Sequence, residues 1–172
     1  MRMYLYIIIK YFINKTSPVT KISAPMCYDC IFEGILENWQ EEDEEYRFFL
    51  GVKVPVTTLC PCSKEISNYG AHNQRAIVSV KVTYPEEEHI WIEDLVSAIE
   101  KTASSELYPL LKREDEKYVT EHAYDNPKFV EDVLRDVVLT LREDDKIDSF
   151  EVECESLESI HNHSAWAYQL EN

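Results

Sequence analysis

Ala76-Ile-Val-Ser-Val-Lys-Val-Thr-Tyr84 alternates apolar and polar residues cleanly from Val78 onward. A period of two puts one set of side chains on each face of an extended chain, so the stretch reads as a half-buried strand. Upstream, Tyr46 to about Val56 reads as a strand, and so does Met26 to Leu36, with Cys30, Phe32 and Ile35 facing inward. The acidic run Glu41-Glu-Asp-Glu-Glu45 between them reads as a solvated turn, which makes the pair a hairpin. The first thirteen residues, Met1 to Ile13, are rich in β-branched and aromatic side chains and read as a further strand. They fall short of the ~20 apolar residues that span a bilayer. No small-residue cleavage site follows in Asn14-Lys-Thr-Ser-Pro18.

A Thr/Ser/Pro linker is expected from Lys15 to Pro25. The expected division is therefore 1–21 as an N-terminal apolar strand and linker, and 22–172 as one domain. Downstream of Tyr84, Ile92, Leu95, Val96 and Ile99 fall at helical spacing. A second helix is expected to start with Asn126 as N-cap and Pro127 at its first position. Its apolar face runs through Phe129, Val130, Val133, Leu134, Val137, Val138 and Leu141. Asp148 to Ser156 and about Ser164 to Leu170 read as closing strands. Strands, two helices, then strands predict an α+β fold: an antiparallel sheet with two helices packed on one face.

The 172 residues suit one ordinary domain. Seventeen basic against thirty-three acidic residues give a net charge of −16. That balance disfavours nucleic acid and anionic membrane as partners, since both demand a basic surface. Gly34, Gly51 and Gly70 are the only glycines, so neither a GxGxxG turn nor a P-loop is present. Five cysteines, an odd number in an acidic chain, argue for reduced thiols and a cytoplasmic protein rather than a disulfide framework.

The densest chemical signal is Thr57-Thr-Leu-Cys-Pro-Cys-Ser-Lys-Glu-Ile-Ser-Asn-Tyr-Gly-Ala-His-Asn-Gln-Arg75. It concentrates Cys60, Cys62, His72, Lys64 and Arg75 between two strands, and thiolate with imidazole is the donor set of a zinc-like ion. Cys27 and Cys30 lie in an alternating strand and read as core residues. In Glu158-Ser-Ile-His-Asn-His-Ser164, an extended backbone would put His161 and His163 on one face, a pairing suited to proton shuttling or metal binding. Lys112 to His122 is a charged helical face or linker. Its Glu114, Glu116, Glu121 and His122 each offer a further ligand, and spacing does not choose among them.

Together these segments resemble the type IB GTP cyclohydrolase I family, FolE2-like enzymes with a tunnelling fold. The resemblance rests on Val54 to Arg75, on Asp115 to Glu131, and on Glu158 to Ala165, in that order. It implies that Cys60, His72 and Glu116 bind a divalent metal, with zinc first and manganese or iron(II) as alternatives. It implies that His161 and His163 are the catalytic pair, with Cys60 a ligand and proton carrier rather than a nucleophile. By the same carry-over, Glu131 anchors the guanine edge and Glu158 supports the histidines. Lys64 and Arg75 are expected at the triphosphate, because a chain of charge −16 must supply local positive charge to hold GTP.

The implied reaction is metal-dependent hydrolytic opening of the GTP imidazole ring to 7,8-dihydroneopterin triphosphate and formate, the entry to folate-type pterins. Family sites lie at subunit interfaces, so a homo-oligomer is expected. Family members carry another tunnelling-fold unit of roughly 100 residues upstream, and the motifs here belong to the second. The chain therefore reads as a fragment, the product of a misplaced start, or one piece of a split enzyme. Two rival functions remain at this level: a non-catalytic metal-binding subunit, and a tunnelling-fold thioimide reductase that uses a nicotinamide cofactor without metal.

Overall fold

The structure is a computed structural model that describes residues 2–38 and 45–171. Its strands are β1 (Met3–Thr16), β2 (Ser23–Glu37), β3 (Glu45–Leu59), β4 (Asn73–Thr83), β5 (Ser149–Ser156) and β6 (Ala165–Glu171). Its helices are α1 (Pro61–Ile66), α2 (Ile92–Glu100), α3 (Arg113–Asp125) and α4 (Val130–Arg142). Among the described residues the strands form one antiparallel sheet in chain order, β1 through β6. The expected α+β class and antiparallel sheet are both found. The acidic turn read at Glu41 to Glu45 falls mostly outside the described residues.

Alternation and burial coincide in the central strands. Val52, Val54 and Val56 of β3, Ala76, Val78, Val80 and Val82 of β4, and Phe150, Val152 and Cys154 of β5 are all buried. Against this face pack Leu95, Val96 and Ile99 of α2 and Val130, Val133, Val137, Val138 and Leu141 of α4 in one cluster. Each such aliphatic side chain contributes about 1.5–3 kcal/mol on full burial, so this layer holds the sheet and helices together. On the opposite face, where no helix of the described residues packs into the core cluster, Lys53, Ser79 and Glu153 lie opposite one another across three strands. Among the described residues no helix is long and apolar enough to cross a membrane.

Three local expectations are corrected. Among the described residues four helices are present rather than two. Asn126 does not open the last helix: it closes α3, and its side-chain amide donates to Ala103 O at 2.9 Å. α4 begins at Val130, where Asp132 accepts the Phe129 N–H at 3.0 Å, doing the capping expected of Asn126. The stretch expected as a linker from Lys15 to Pro25 is already strand at both ends, leaving only 17–22 as a connection. That turn is pinned from α3. Asp115, fully buried, accepts the Val19 and Thr20 N–H groups and the Lys112 N–H at 2.9–3.0 Å, together with the Thr20 hydroxyl. Burial alone would push its carboxyl up, but the bonds from Thr20, Lys112 and Val19 hold it well below the usual carboxylate range.

Candidate functional site

β3 runs into Cys60, which caps α1 ahead of Pro61 at the first helical position. Its Sγ accepts the Ser63 N–H at 3.4 Å, while Ser63 Oγ donates to Cys60 O at 3.1 Å. The loop then returns on itself: His72 N–H donates to Ser63 Oγ at 3.2 Å, and Cys60 N–H donates to His72 O at 3.1 Å. A six-residue helix and a hairpin-like closure thus hold Cys60 and His72 side by side, twelve positions apart in sequence.

The His72 ring is held at Nδ1. Gln74 Oε1 lies 2.9 Å from that nitrogen and Ser159 Oγ lies 3.2 Å from it. Gln74 Nε2 donates in turn to Glu158 Oε1 at 3.4 Å, and Ser156 Oγ donates to the same oxygen at 3.1 Å. Ser159 and Glu158 belong to the β5–β6 connection, which also carries His161 and His163. Their rings stack at 5.2 Å between centroids and 12° between planes. The segment is a bent loop, not the extended backbone that would set them one pleat apart, and the two imidazoles still share one side of it. Both are exposed.

The other candidates stand further off. Glu116 is exposed on α3, next in sequence to buried Asp115. Among the described residues no three His, Cys, Asp or Glu side chains gather as a metal cage. Glu131 is exposed in the first turn of α4, within electrostatic reach of Cys154. Burial, and secondarily the charge of Glu131, pushes the Cys154 thiol up to about 12. Lys64 Nζ donates to Tyr124 O and lies 4.3 Å from the Tyr124 ring centre, tying α1 to α3. Arg75 is exposed on β4. Cys62 is exposed; Cys30 is buried and Cys27 exposed, as side chains diverging on a strand must be. A cleft of about 560 Å³ opens between the α1–β4 loop and α3, lined in part by Leu59, Tyr69, Ala71, Asn73 and Tyr124.

Donor chemistry suits Cys60 and His72 to a soft or borderline divalent metal. One supplies sulfur, and the other, engaged at Nδ1, presents Nε2, the usual arrangement of a metal-bound histidine. Beneath them lies Thr58, fully buried and paired across the strands with Gln74. Its Oγ1 is the buried side-chain polar atom that lacks a hydrogen-bond partner among the described residues. Gln74, Ser159 and Thr58 were not picked out from sequence. Gln74 had a signal, since residues two apart on a strand share a face.

Sheet, helices and centre together define an α+β protein of tunnelling-fold type with a thiol–imidazole pair at one end of its central hairpin. The family model described as Type I GTP cyclohydrolase folE2 matches residues 2–167, and the chain belongs to that family. It is 55% identical over 92% of its length to a GTP cyclohydrolase FolE2 of Caldicellulosiruptor bescii, covering 59% of that protein. It is 54% identical over 96% of its length to a GTP cyclohydrolase FolE2 of Thermotoga maritima, covering 61% of it. A third relative, GTP cyclohydrolase FolE2 of Azoarcus sp., is 55% identical over 91% of the chain and is covered over 56%. The chain thus spans somewhat more than half the length of these curated relatives.

Proposed function

We propose that the chain acts as a GTP cyclohydrolase I, opening the imidazole ring of GTP by hydrolysis to give 7,8-dihydroneopterin triphosphate and formate for folate-type pterin synthesis. The observation that carries this reading is the Ser159–His72 contact at 3.2 Å, which lays the loop of His161 and His163 against the Cys60–His72 pair. Family membership supports it.

In this reading Cys60 Sγ and His72 Nε2 hold a divalent metal, zinc first and manganese or iron(II) as alternatives, and Glu116 of α3 is the third ligand. When bound, such an ion makes water a competent nucleophile near neutral pH. His161 and His163, stacked in the loop laid against that pair, accept a proton from water and return it to the ring nitrogen as the C8–N bond breaks. The Glu131 carboxylate, an acceptor at both oxygens, suits the N–H edge of guanine. Arg75 meets the triphosphate, and Lys64 joins it by giving up its Tyr124 carbonyl. A homo-oligomer with the site between subunits and a cytoplasmic location belong to the same proposal.

The test is to reconstitute the purified chain with metal, add GTP, and follow formate together with the fluorescence of the oxidised pterin. Both products are expected, and both lost in Cys60→Ala and His161→Ala. Tight metal binding with neither product would overturn the catalytic reading in favour of a non-catalytic metal-binding subunit.

A further inference from the structure

We infer that Gln74 is a positioning residue that fixes the tautomer of His72 and so aims its Nε2 lone pair at the metal, an inference that rests on the metal reading of Cys60 and His72 given above.

The argument is one of donors and acceptors. The Gln74 amide turns its NH₂ toward Glu158, donating from Nε2 to Oε1 at 3.4 Å. Its carbonyl oxygen is thereby left toward His72, 2.9 Å from Nδ1. That oxygen only accepts, so Nδ1 carries the proton and Nε2 keeps its lone pair. Which imidazole nitrogen is protonated is set by the bond the other end makes, and here Glu158 decides it through one amide. Glu158 is itself steadied by Ser156, which is 1% exposed. Ser159 Oγ, a hydroxyl that accepts from Nδ1–H once Gln74 has set the tautomer, lies 3.2 Å from the same Nδ1, two residues before His161. The backbone supplies the rest: His72 immediately precedes β4 and Gln74 is the strand's second residue, so the chain entering the strand brings the two side chains within contact. The chain of contacts Ser156–Glu158–Gln74–His72 runs from the floor of the sheet to the proposed ligand.

Two readouts test this on the full chain. Long-range proton–nitrogen spectra of the metal-free, nitrogen-15-labelled protein at mildly alkaline pH report which ring nitrogen of His72 is protonated. Nδ1–H is expected in the native chain and a shift toward Nε2–H in Gln74→Met. Titration with Co(II), followed by its thiolate charge-transfer band, is expected to show affinity about 10–100-fold weaker in Gln74→Met. The swap Gln74→Glu with Glu158→Gln is expected to restore most of the loss, because position 74 again accepts from Nδ1 and position 158 donates to it. Gln74→Asn, which keeps the amide but shortens its reach, carries the same expectation should the methionine variant not fold. An Nε2–H tautomer in the native chain, or native Co(II) affinity in Gln74→Met, overturns the inference alone. A native chain that binds no Co(II) overturns the metal reading and this inference with it.

Discussion

Lys15, Tyr28, Glu100 and Glu106 meet between β1, β2 and the end of α2, whereas Cys60, His72, Gln74, Glu158 and Ser159 meet where β3, β4 and the β5–β6 loop come together. In the first cluster the Lys15 and Glu100 side chains are 9% and 5% exposed. Lys15 Nζ lies 2.7 Å from Glu100 and 2.8 Å from Glu106, and the Tyr28 hydroxyl donates to Glu100 at 2.7 Å. In the second, the Gln74–Glu158, Ser156–Glu158 and Ser159–His72 side-chain contacts are 3.1–3.4 Å long, and the histidines beyond them lie in solvent. Buried charge survives only when its partners are close and complete. Groups with longer contacts and open coordination are the ones a ligand can still recruit. In the reading proposed above, the difference separates polar residues that hold the fold from polar residues that serve the chemistry.

The sharpest way to break that distinction is at the two ends of it. His161→Ala is expected to lower GTP turnover by about 10²–10⁴-fold while leaving stability within about 0.5 kcal/mol, as activity assays and denaturant melts would show. Lys15→Met should do the reverse, leaving Glu100 beside Glu106 and costing about 3–5 kcal/mol in unfolding free energy at neutral pH. The sign of its pH dependence follows from Glu100. Burial raises that carboxyl even against the opposing pull of Lys15 and Tyr28, so the folded state binds its proton more readily than the unfolded one. Stability tied to a raised carboxyl is present below the unfolded value and declines as pH rises through the folded one. The variant should therefore regain stability on acidification; equal losses in acid and at neutrality would sink the assignment.

Smaller effects sharpen the same contrast. Burial pushes the thiols of Cys30 to about 11 and Cys154 to about 12. Both lie above the unfolded value, so the stability they contribute is intact below about pH 8.5 and erodes as pH climbs toward those folded values. Alkylation read by mass spectrometry should mark exposed Cys27 and Cys62 in the folded chain and spare Cys30 and Cys154. Smallest is Thr58→Val, which removes the unpartnered hydroxyl beneath the site and is expected to stabilise by up to about 1 kcal/mol. A clear loss in a thermal melt would mean the hydroxyl has a partner after all.

The sheet was legible because burial and alternation agree in β3, β4 and β5, where each valine that reads as inward is inward. α1 and α3 were not. α1 is six residues long and buries none of its side chains. α3 buries only Asp115 and Ala123, so neither offers an apolar stripe to read. Asn126-Pro127 carries a start signal that tertiary contacts to Ala103 and Ser104 override. At the site, Cys60 and His72 were readable from residue type and spacing. The His72–Ser159 contact was not, because its partners are 87 residues apart and only the folded sheet brings β6's loop onto β4.

The strand order of the sheet has a kinetic consequence. Strands β1 to β4 pair with their chain neighbours across short connections, but β5 can join β4 only after the helical excursion between Thr83 and Ser149 has been closed. Closing a long loop costs entropy before its contacts repay it. The expected sequence of events is an early four-stranded meander that already holds Cys60 beside His72, followed by slower docking of β5 and β6. On that timetable the hydrogen bonds of Glu158 to Gln74 and of Ser159 to His72 are among the last to form. In a refolding experiment the His72 ring would act as a clock for completion, sensing its final neighbours only when the sheet has closed.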